Sequence, residues 1–299
     1  MSDQTSQNLL TASLGGDRQA FAKFLTWLEK ADVSEALAIP EILNPKRAAL
    51  RIGITGPPGA GKSTIVGKLI SEFRAQGKKI GVLAVDPSSP FSQGAILGDR
   101  IRYSEHFLDS EVFIRSLGTR GSLGGLSSAA FLMSRAFDAC GYDVVLIETV
   151  GVGQTELDIL HVADQVCVVL VPESGDSVQA MKAGLMEIAD IFVVNKSDRP
   201  GADGLAREIE ASVHDGLSSK SPQVFKCIAS EGAGVKELAK FILDSAQSIN
   251  PLANRTQPER LREEGKALLR RQWETSVSQQ LSQIGDGQSL LKLLRKSQN

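Results

Sequence analysis

The chain is poor in the residues that build metal clusters and disulfide frameworks. It has 3 cysteines and 3 histidines among 299 residues. Cys140, Cys167 and Cys227 are widely spaced, as are His106, His161 and His214. With no clustered Cys/His set the pattern argues against a disulfide scaffold and a protein-built zinc site, and the cysteines read as core fillers. Charge of one sign is also lacking: the net charge is −2. No overall field draws the chain to nucleic acid or to an anionic membrane. No apolar run reaches the length of a membrane span, about 18 residues. The opening residues, MSDQTSQNLL, lack the basic-then-apolar order of a secretion signal. The expectation is a cytoplasmic protein with no nucleic-acid partner and no membrane partner. What is present is apolar bulk. Hydrophobic residues make up 42% of the chain, enough for one large α/β domain with additions or for two small domains.

The chain is organised around Gly56-Pro57-Pro58-Gly59-Ala60-Gly61-Lys62-Ser63. This is a complete G-x-x-x-x-G-K-[ST] phosphate-binding loop. Leu50, Ile52, Ile54 and Thr55 before it read as a strand, and Ile65, Val66, Leu69, Ile70 and Phe73 after it read as a helix. The order strand, glycine loop, helix is the one the chemistry needs. Consecutive backbone N–H groups, freed of Cβ bulk by Gly59 and Gly61, can wrap phosphate oxygens within Gly56–Thr64, and the helix N-terminus adds its positive dipole end. Lys62 can reach the β- and γ-phosphates, and the Ser63 hydroxyl can ligate Mg²⁺.

Residues 1–48 read as a helical extension, with Ala20, Phe21, Phe24, Leu25 and Leu28 at helical spacing. Asp17 is placed to cap that helix, and Pro40 and Pro45 break the segment beyond it. Residues 49–250 alternate strand and helix. Strands are expected at 49–55, 79–85, 111–115, 143–149, 165–171, 190–195 and 223–228, most of them continuous apolar runs such as Val166-Cys167-Val168-Val169-Leu170-Val171. Such runs suit strands buried on both faces of a parallel sheet, joined by helices in βαβ units. The expected fold is therefore an α/β P-loop NTPase, with a mostly parallel twisted sheet flanked by helices and helical extensions at both ends. Its ligand site belongs at the carboxyl ends of the strands. After Pro251 and Pro258, residues 251–299 read as a helical arm. Leu261, Leu268, Leu269, Trp273, Val277, Leu281 and Ile284 mark a long amphipathic helix. The arm could cap the core or serve as a dimer or partner surface.

Asn195-Lys196-Ser197-Asp198 follows the apolar strand that ends at Val194. This N-K-x-D sequence selects guanine. A carboxylate only accepts hydrogen bonds, and guanine offers N1–H and its 2-amino group as adjacent donors. Adenine would leave Asp198 unpaired. Asn195 would brace the loop, and the Lys196 stem would cover the base. A second loop after the last strand, with Ala229 and Ser230, is placed to contact the base through its backbone.

Asp86 ends the second strand, and Glu148 ends the strand Val144–Ile147. Carboxylates at strand ends beside a P-loop are natural ligands on the Mg²⁺ side, directly or through water. Asp99 could join them, and Arg100 could touch phosphate. Glu148-Thr149-Val150-Gly151 stands where GTPases carry D-x-x-G. Gly151 is the candidate γ-phosphate sensor and Gln154 the candidate for positioning water. No arginine is unambiguously poised as a finger, Arg100, Arg115 and Arg120 being possible. Slow intrinsic hydrolysis of GTP to GDP, accelerated by a partner, is the expectation.

These residues resemble the MeaB-like GTPases, also called the ArgK family, of the SIMIBI class. The matching stretches are GITGPPGAGKST (53–64), VLAVDPSSPFSQGAILGDR (82–100), IETVGVGQTELDI (147–159), PESGDSVQAMKAGLMEIADIFVVNKSD (172–198) and, more weakly, ASEGAGVKEL (229–238). Thr155 stands where Ser is expected, Tyr103 where Met is usual, and Glu173-Ser174-Gly175-Asp176-Ser177 replaces a G-A-G-D-E-like run. The resemblance implies a GTPase that serves an adenosylcobalamin-dependent acyl-CoA mutase, typically methylmalonyl-CoA mutase, by gating cofactor loading and protecting the enzyme. It also implies a homodimer formed through the C-terminal helices. Competing readings are a transport-associated ATPase or kinase, which N-K-x-D opposes, and a nickel-type metallochaperone, for which the chain has no C-x-C or His-rich tract. A module that binds nucleotide without hydrolysis is opposed by the presence of Lys62, Ser63, Asp86 and Glu148.

Overall fold

The computed structural model describes residues 3–86, 103–118, 128–149, 155–172, 184–214 and 221–281. Seven strands are present among them: β1 (Leu50–Thr55), β2 (Ile80–Asp86), β3 (Val112–Gly118), β4 (Val144–Thr149), β5 (Gln165–Leu170), β6 (Ile191–Asn195) and β7 (Gln223–Cys227). They form one sheet in the order β3-β2-β4-β1-β5-β6-β7, and every pairing is parallel. β1 sits at the centre between β4 and β5, with Ile54 beside both Glu148 and Cys167.

The apolar runs become strands because both sheet faces are covered. Side chains alternate between two cores. On β4, Val145 and Ile147 enter one cluster and Val144 and Leu146 another. On β5, Cys167 and Val169 face one side while Val166, Val168 and Leu170 face the other. Cys167 and Cys227 are both buried, as core fillers should be. β3 is longer than the expected 111–115. Ser116, Leu117 and Gly118 stay extended because their register against Ala84, Val85 and Asp86 continues the ladder.

Twelve helices flank the sheet among the described residues: α1 (Asp3–Leu14), α2 (Arg18–Lys30), α3 (Val33–Leu37), α4 (Pro40–Leu43), α5 (Lys62–Ala75), α6 (Ser128–Ala139), α7 (Thr155–Val162), α8 (Met186–Ile188), α9 (Ala202–His214), α10 (Val235–Ala246), α11 (Pro251–Arg255) and α12 (Pro258–Leu281). None is long and apolar enough to cross a membrane. Asp17 caps α2 as expected, accepting from the N–H groups of Gln19 and Ala20 at 2.8 and 3.0 Å. Pro40 does not break the chain; it opens α4 at the first turn, where its missing N–H costs nothing. α2 buries Phe21, Phe24, Leu25 and Leu28. The Phe21 ring meets Phe113 and Phe137 edge-on at 4.8 and 5.2 Å, so the N-terminal helices share a core with the sheet.

The arm's long helix is α12. Of its apolar stripe, Leu268 is buried, whereas Leu261, Leu269, Trp273 and Leu281 are exposed. The inward face of α12 binds largely through charge. Glu264 takes a bidentate pair from Arg135 at 2.6 and 2.7 Å. Arg271 donates to the carbonyls of Leu28 and Ala31 at 3.0 and 2.6 Å. Those carbonyls lie at the C-terminal end of α2, where helical partners run out and a cation is favoured. Ile284 lies outside the described residues.

α11 closes the fold from the far end of β1. Arg255 reaches Asp138, Asp164 and the Ala49 carbonyl, while Arg51 of β1 pairs with Asp138 at 2.6 Å. Asp138 also accepts from the Ala49 N–H, and Asp164 from the Arg51 N–H, each at 2.9 Å. Burial lowers the Arg51 guanidinium to about 10, with Arg255 pushing the same way and Asp138 and Asp164 opposing; it stays charged at neutral pH.

Candidate functional site

At the other end of β1 the chain turns through Gly56–Gly61 into α5. Two glycines are needed for steric reasons. Gly56 has φ of 134°, and a Cβ there would stand 2.1 Å from the Val169 carbonyl oxygen. Gly61 has φ of 87°, and a Cβ there would stand 2.3 Å from the Asn195 amide nitrogen. Side chains grip the loop through its carbonyls. Lys62 Nζ donates to Gly56 and Pro57 oxygens at 2.8 and 3.0 Å. Lys196 Nζ donates to Gly59 at 2.9 Å, and Asn195 Nδ2 to Ala60 at 2.8 Å. With carbonyls engaged this way, N–H groups are the loop's natural contribution to an anion, and the α5 dipole adds to it. Lys62 is buried. Pro58, Gly59 and Thr64 face solvent at the mouth.

The base loop is welded to this turn. Asn195 ends β6 and is buried; besides its bond to Ala60, its Oδ1 accepts from the Ala229 N–H at 3.1 Å. One side chain therefore joins the P-loop, the N-K-x-D loop and the loop after β7. Lys196 has φ of 54°, the one positive φ of a non-glycine residue among the described residues. The Ser197 N–H bonds the Cys227 carbonyl at 3.0 Å and closes the turn. Asp198 and Ser230 are exposed beyond it.

On the opposite flank, Glu148 lies near the end of β4, between Ile54 of β1 and Ala84 of β2. It is 4% exposed. The Ser63 hydroxyl donates to its Oε1 at 2.6 Å, and the Tyr103 phenol donates to its Oε2. Next to it, the Thr149 hydroxyl donates to that of Thr55 at 3.0 Å. Asp86 ends β2 on the same side of the sheet, level with Gly118. Asp99, Arg100, Arg120, Gly151 and Gln154 lie outside the described residues, as do most of the loops that carry them. Arg115 cannot serve as a finger: it points from β3 to Glu29 at 2.5 Å and to Thr26 at 3.2 Å.

The structure thus brings together Gly56–Ser63, Asn195, Lys196, Ala229 and Glu148. Sequence reasoning named Tyr103 only as a departure from a family pattern, and passed over Thr55 and the pairing role of Thr149. Tyr103 reaches a carboxylate 45 positions away, which no local pattern reveals.

A buried lysine and a helix N-terminus on a glycine loop, beside a hydroxyl–carboxylate pair and joined to N-K-x-D, make up the candidate site. The family model for the methylmalonyl-CoA mutase-associated GTPase MeaB matches residues 21–285. The chain belongs to the MeaB family of GTPases. A Pyrococcus horikoshii protein named as a GTPase is 46% identical over 279 residues, 91% of this chain and 88% of its own. The GTPase ArgK of Escherichia coli is 36% identical over 72% of each chain. A mouse mitochondrial protein named methylmalonic aciduria type A homolog is 36% identical, over 77% of this chain and 60% of its own. The solved structure of a LAO/AO transport system kinase superposes over 100% of this chain and 99% of its own, with a TM-score of 0.65 at 24% identity, a likeness of fold. Like its MeaB relatives, this chain is a GTP-hydrolysing enzyme.

Proposed function

We propose that this MeaB-family GTPase serves an adenosylcobalamin-dependent acyl-CoA mutase, methylmalonyl-CoA mutase or a close relative, gating cofactor loading and protecting the enzyme. The family match over residues 21–285 carries the reading, and the name of the mouse relative supports it. In this reading Gly56–Thr64 hold the phosphates, Lys62 turns from its carbonyl partners toward the β- and γ-oxygens, and Asp198 reads the base. Ala229 and Ser230 complete the base pocket. Gly151 senses the γ-phosphate and Gln154 orients the attacking water.

Magnesium fits the residues present. Ser63 and Glu148 offer only oxygen donors, held 2.6 Å apart beside the lysine, and hard cations take such ligands. Asp86 and Asp99 are the further proposed ligands. Bound there, Mg²⁺ would neutralise charge on the β- and γ-phosphate oxygens. Glu148 accepts the Ser63 hydrogen bond and so turns a hydroxyl lone pair outward.

A GTPase can act on a partner only through contacts that differ between its GTP and GDP states. The proposed contact loops are 86–102, 117–125, 149–156 and 172–182. Intrinsic hydrolysis is slow in this account and the mutase accelerates it. The arm at 251–299 forms a homodimer. The word kinase in the name of the fold relative, at 24% identity, does not bear on activity.

The test is a pull-down of the tagged protein from its own cell extract, with GDP or with a non-hydrolysable GTP analogue. Recovery of a cobalamin-dependent mutase with one nucleotide and not the other is expected. Recovery of a transport component instead would overturn the assigned role.

A further inference from the structure

Glu148 has one more methylene than the aspartate of an ordinary D-x-x-G element, and so one more torsion to fix. The Ser63 hydroxyl bonds Oε1. The second oxygen is held by Tyr103, which is fully buried in the same apolar cluster as Val82, Ala84, Val112 and Leu146. The phenol is delivered from a rigid base. The turn after it, Ser104–His106, is fastened to α5: His106 Nε2 lies 2.9 Å from the Gly67 carbonyl, and Asp109 pairs with Arg74 at 2.8 Å. Arg18 of α2 adds a bond to the Asp109 carbonyl at 2.8 Å. One helix therefore carries Ser63 and also anchors the turn that brings Tyr103 to the other side of the same carboxylate.

We infer that Tyr103 is a positioning residue for the cation side of the site: its hydroxyl fixes the plane of the Glu148 carboxylate, so that Oε1 accepts the Ser63 hydrogen bond and the Ser63 oxygen faces the divalent ion. This rests on the reading of Ser63 and Glu148 as the Mg²⁺ side. The residue does not touch nucleotide; it acts through Glu148. An apolar residue such as methionine at this place would remove the phenol's bond to Oε2.

The decisive variant is Tyr103→Phe, which removes one oxygen and keeps the ring in its apolar cage. GDP affinity is measured by calorimetry with Mg²⁺ and with EDTA, and GTP turnover is measured against Mg²⁺ concentration. Affinity in EDTA should stay within about twofold of the parent, because the phosphate loop is untouched. The gain in affinity on adding Mg²⁺ should fall about tenfold, the scale of one lost hydrogen bond to a carboxylate. The Mg²⁺ concentration for half-maximal turnover should rise by a similar factor, with turnover at saturating Mg²⁺ largely restored. Equal losses in Mg²⁺ and EDTA, or no loss in either, overturn the inference. If Tyr103→Phe melts early, Tyr103→Met repeats the test with the same expected and contradicting outcomes. Ser63→Ala separates the two levels. A Mg²⁺ dependence unmoved in Ser63→Ala refutes the cation reading itself; one moved there but not in Tyr103→Phe refutes only the role of Tyr103.

Discussion

Asp198 is the residue on which base choice turns in this account. It stands exposed past a strained Lys196, on a loop that Asn195 ties to the P-loop and to Ala229. Asp198→Asn gives the position a donor as well as an acceptor, matching the 2-oxygen of xanthine. GTP should bind roughly ten- to a hundredfold more weakly, at about 1–3 kcal/mol for the mispaired group, and XTP should gain. A competition titration with both nucleotides checks this; unchanged GTP affinity with no gain for XTP refutes the assignment. Lys62→Ala should lower hydrolysis by about a hundredfold or more, the usual scale for one electrostatic contact to developing charge, while circular dichroism shows the fold retained. Turnover at the parent rate would remove Lys62 from the chemistry. The grouping of residues was legible where a motif holds them in a short stretch, as in Gly56–Ser63 and Asn195–Asp198. It was not legible for Tyr103, whose partner Glu148 is brought near by the sheet and not by spacing.

Among the elements, strands read clearly from the sequence because they are buried on both faces and so appear as unbroken apolar runs. The strands expected at 49–55 and 190–195 lie within a residue of β1 and β6. β3 at the edge is the exception, since pairing with β2 extends it through Ser116 and Gly118 against local preference. The arm differs for another reason. Its leucine spacing left open whether the apolar stripe packs on the core or faces a partner; Leu261, Leu269, Trp273 and Leu281 are exposed, while Glu264 and Arg271 bond the body of the protein. Periodicity shows that a helix is two-sided; it does not show which side docks. Asp138, at the root of the arm, is fully buried beneath Arg51, Arg255 and the Ala49 N–H. Asp138→Ala takes the carboxylate from Arg51 and leaves Arg255 only Asp164 and the Ala49 carbonyl, and losing one member of a buried ionic cluster costs about 3–5 kcal/mol. The melting temperature should fall by about 6–20 °C at roughly 2–4 °C per kcal/mol. A fall of under about 2 °C in a thermal melt would mean the cluster does not secure the arm.

At the scale of the whole molecule, one sheet separates two jobs. The carboxyl end of β1 carries the P-loop, and its amino end is clamped by α11 and the buried arginine–aspartate cluster. The outward stripe of α12 leaves Trp273 and Leu269 about two-thirds exposed. That apolar surface is available for the proposed homodimer. Trp273→Asp should convert a dimer to a monomer in sedimentation velocity without altering the melting temperature appreciably. A parent protein that sediments as a monomer at all concentrations would set the dimer aside. The central claim is that nucleotide turnover here is coupled to a cobalamin-dependent mutase, and the most direct test is the rate of GTP hydrolysis alone and with the purified mutase lacking cofactor. The account predicts slow turnover alone and an acceleration of at least about tenfold at saturating mutase. A rate that the folded mutase leaves unchanged would contradict it.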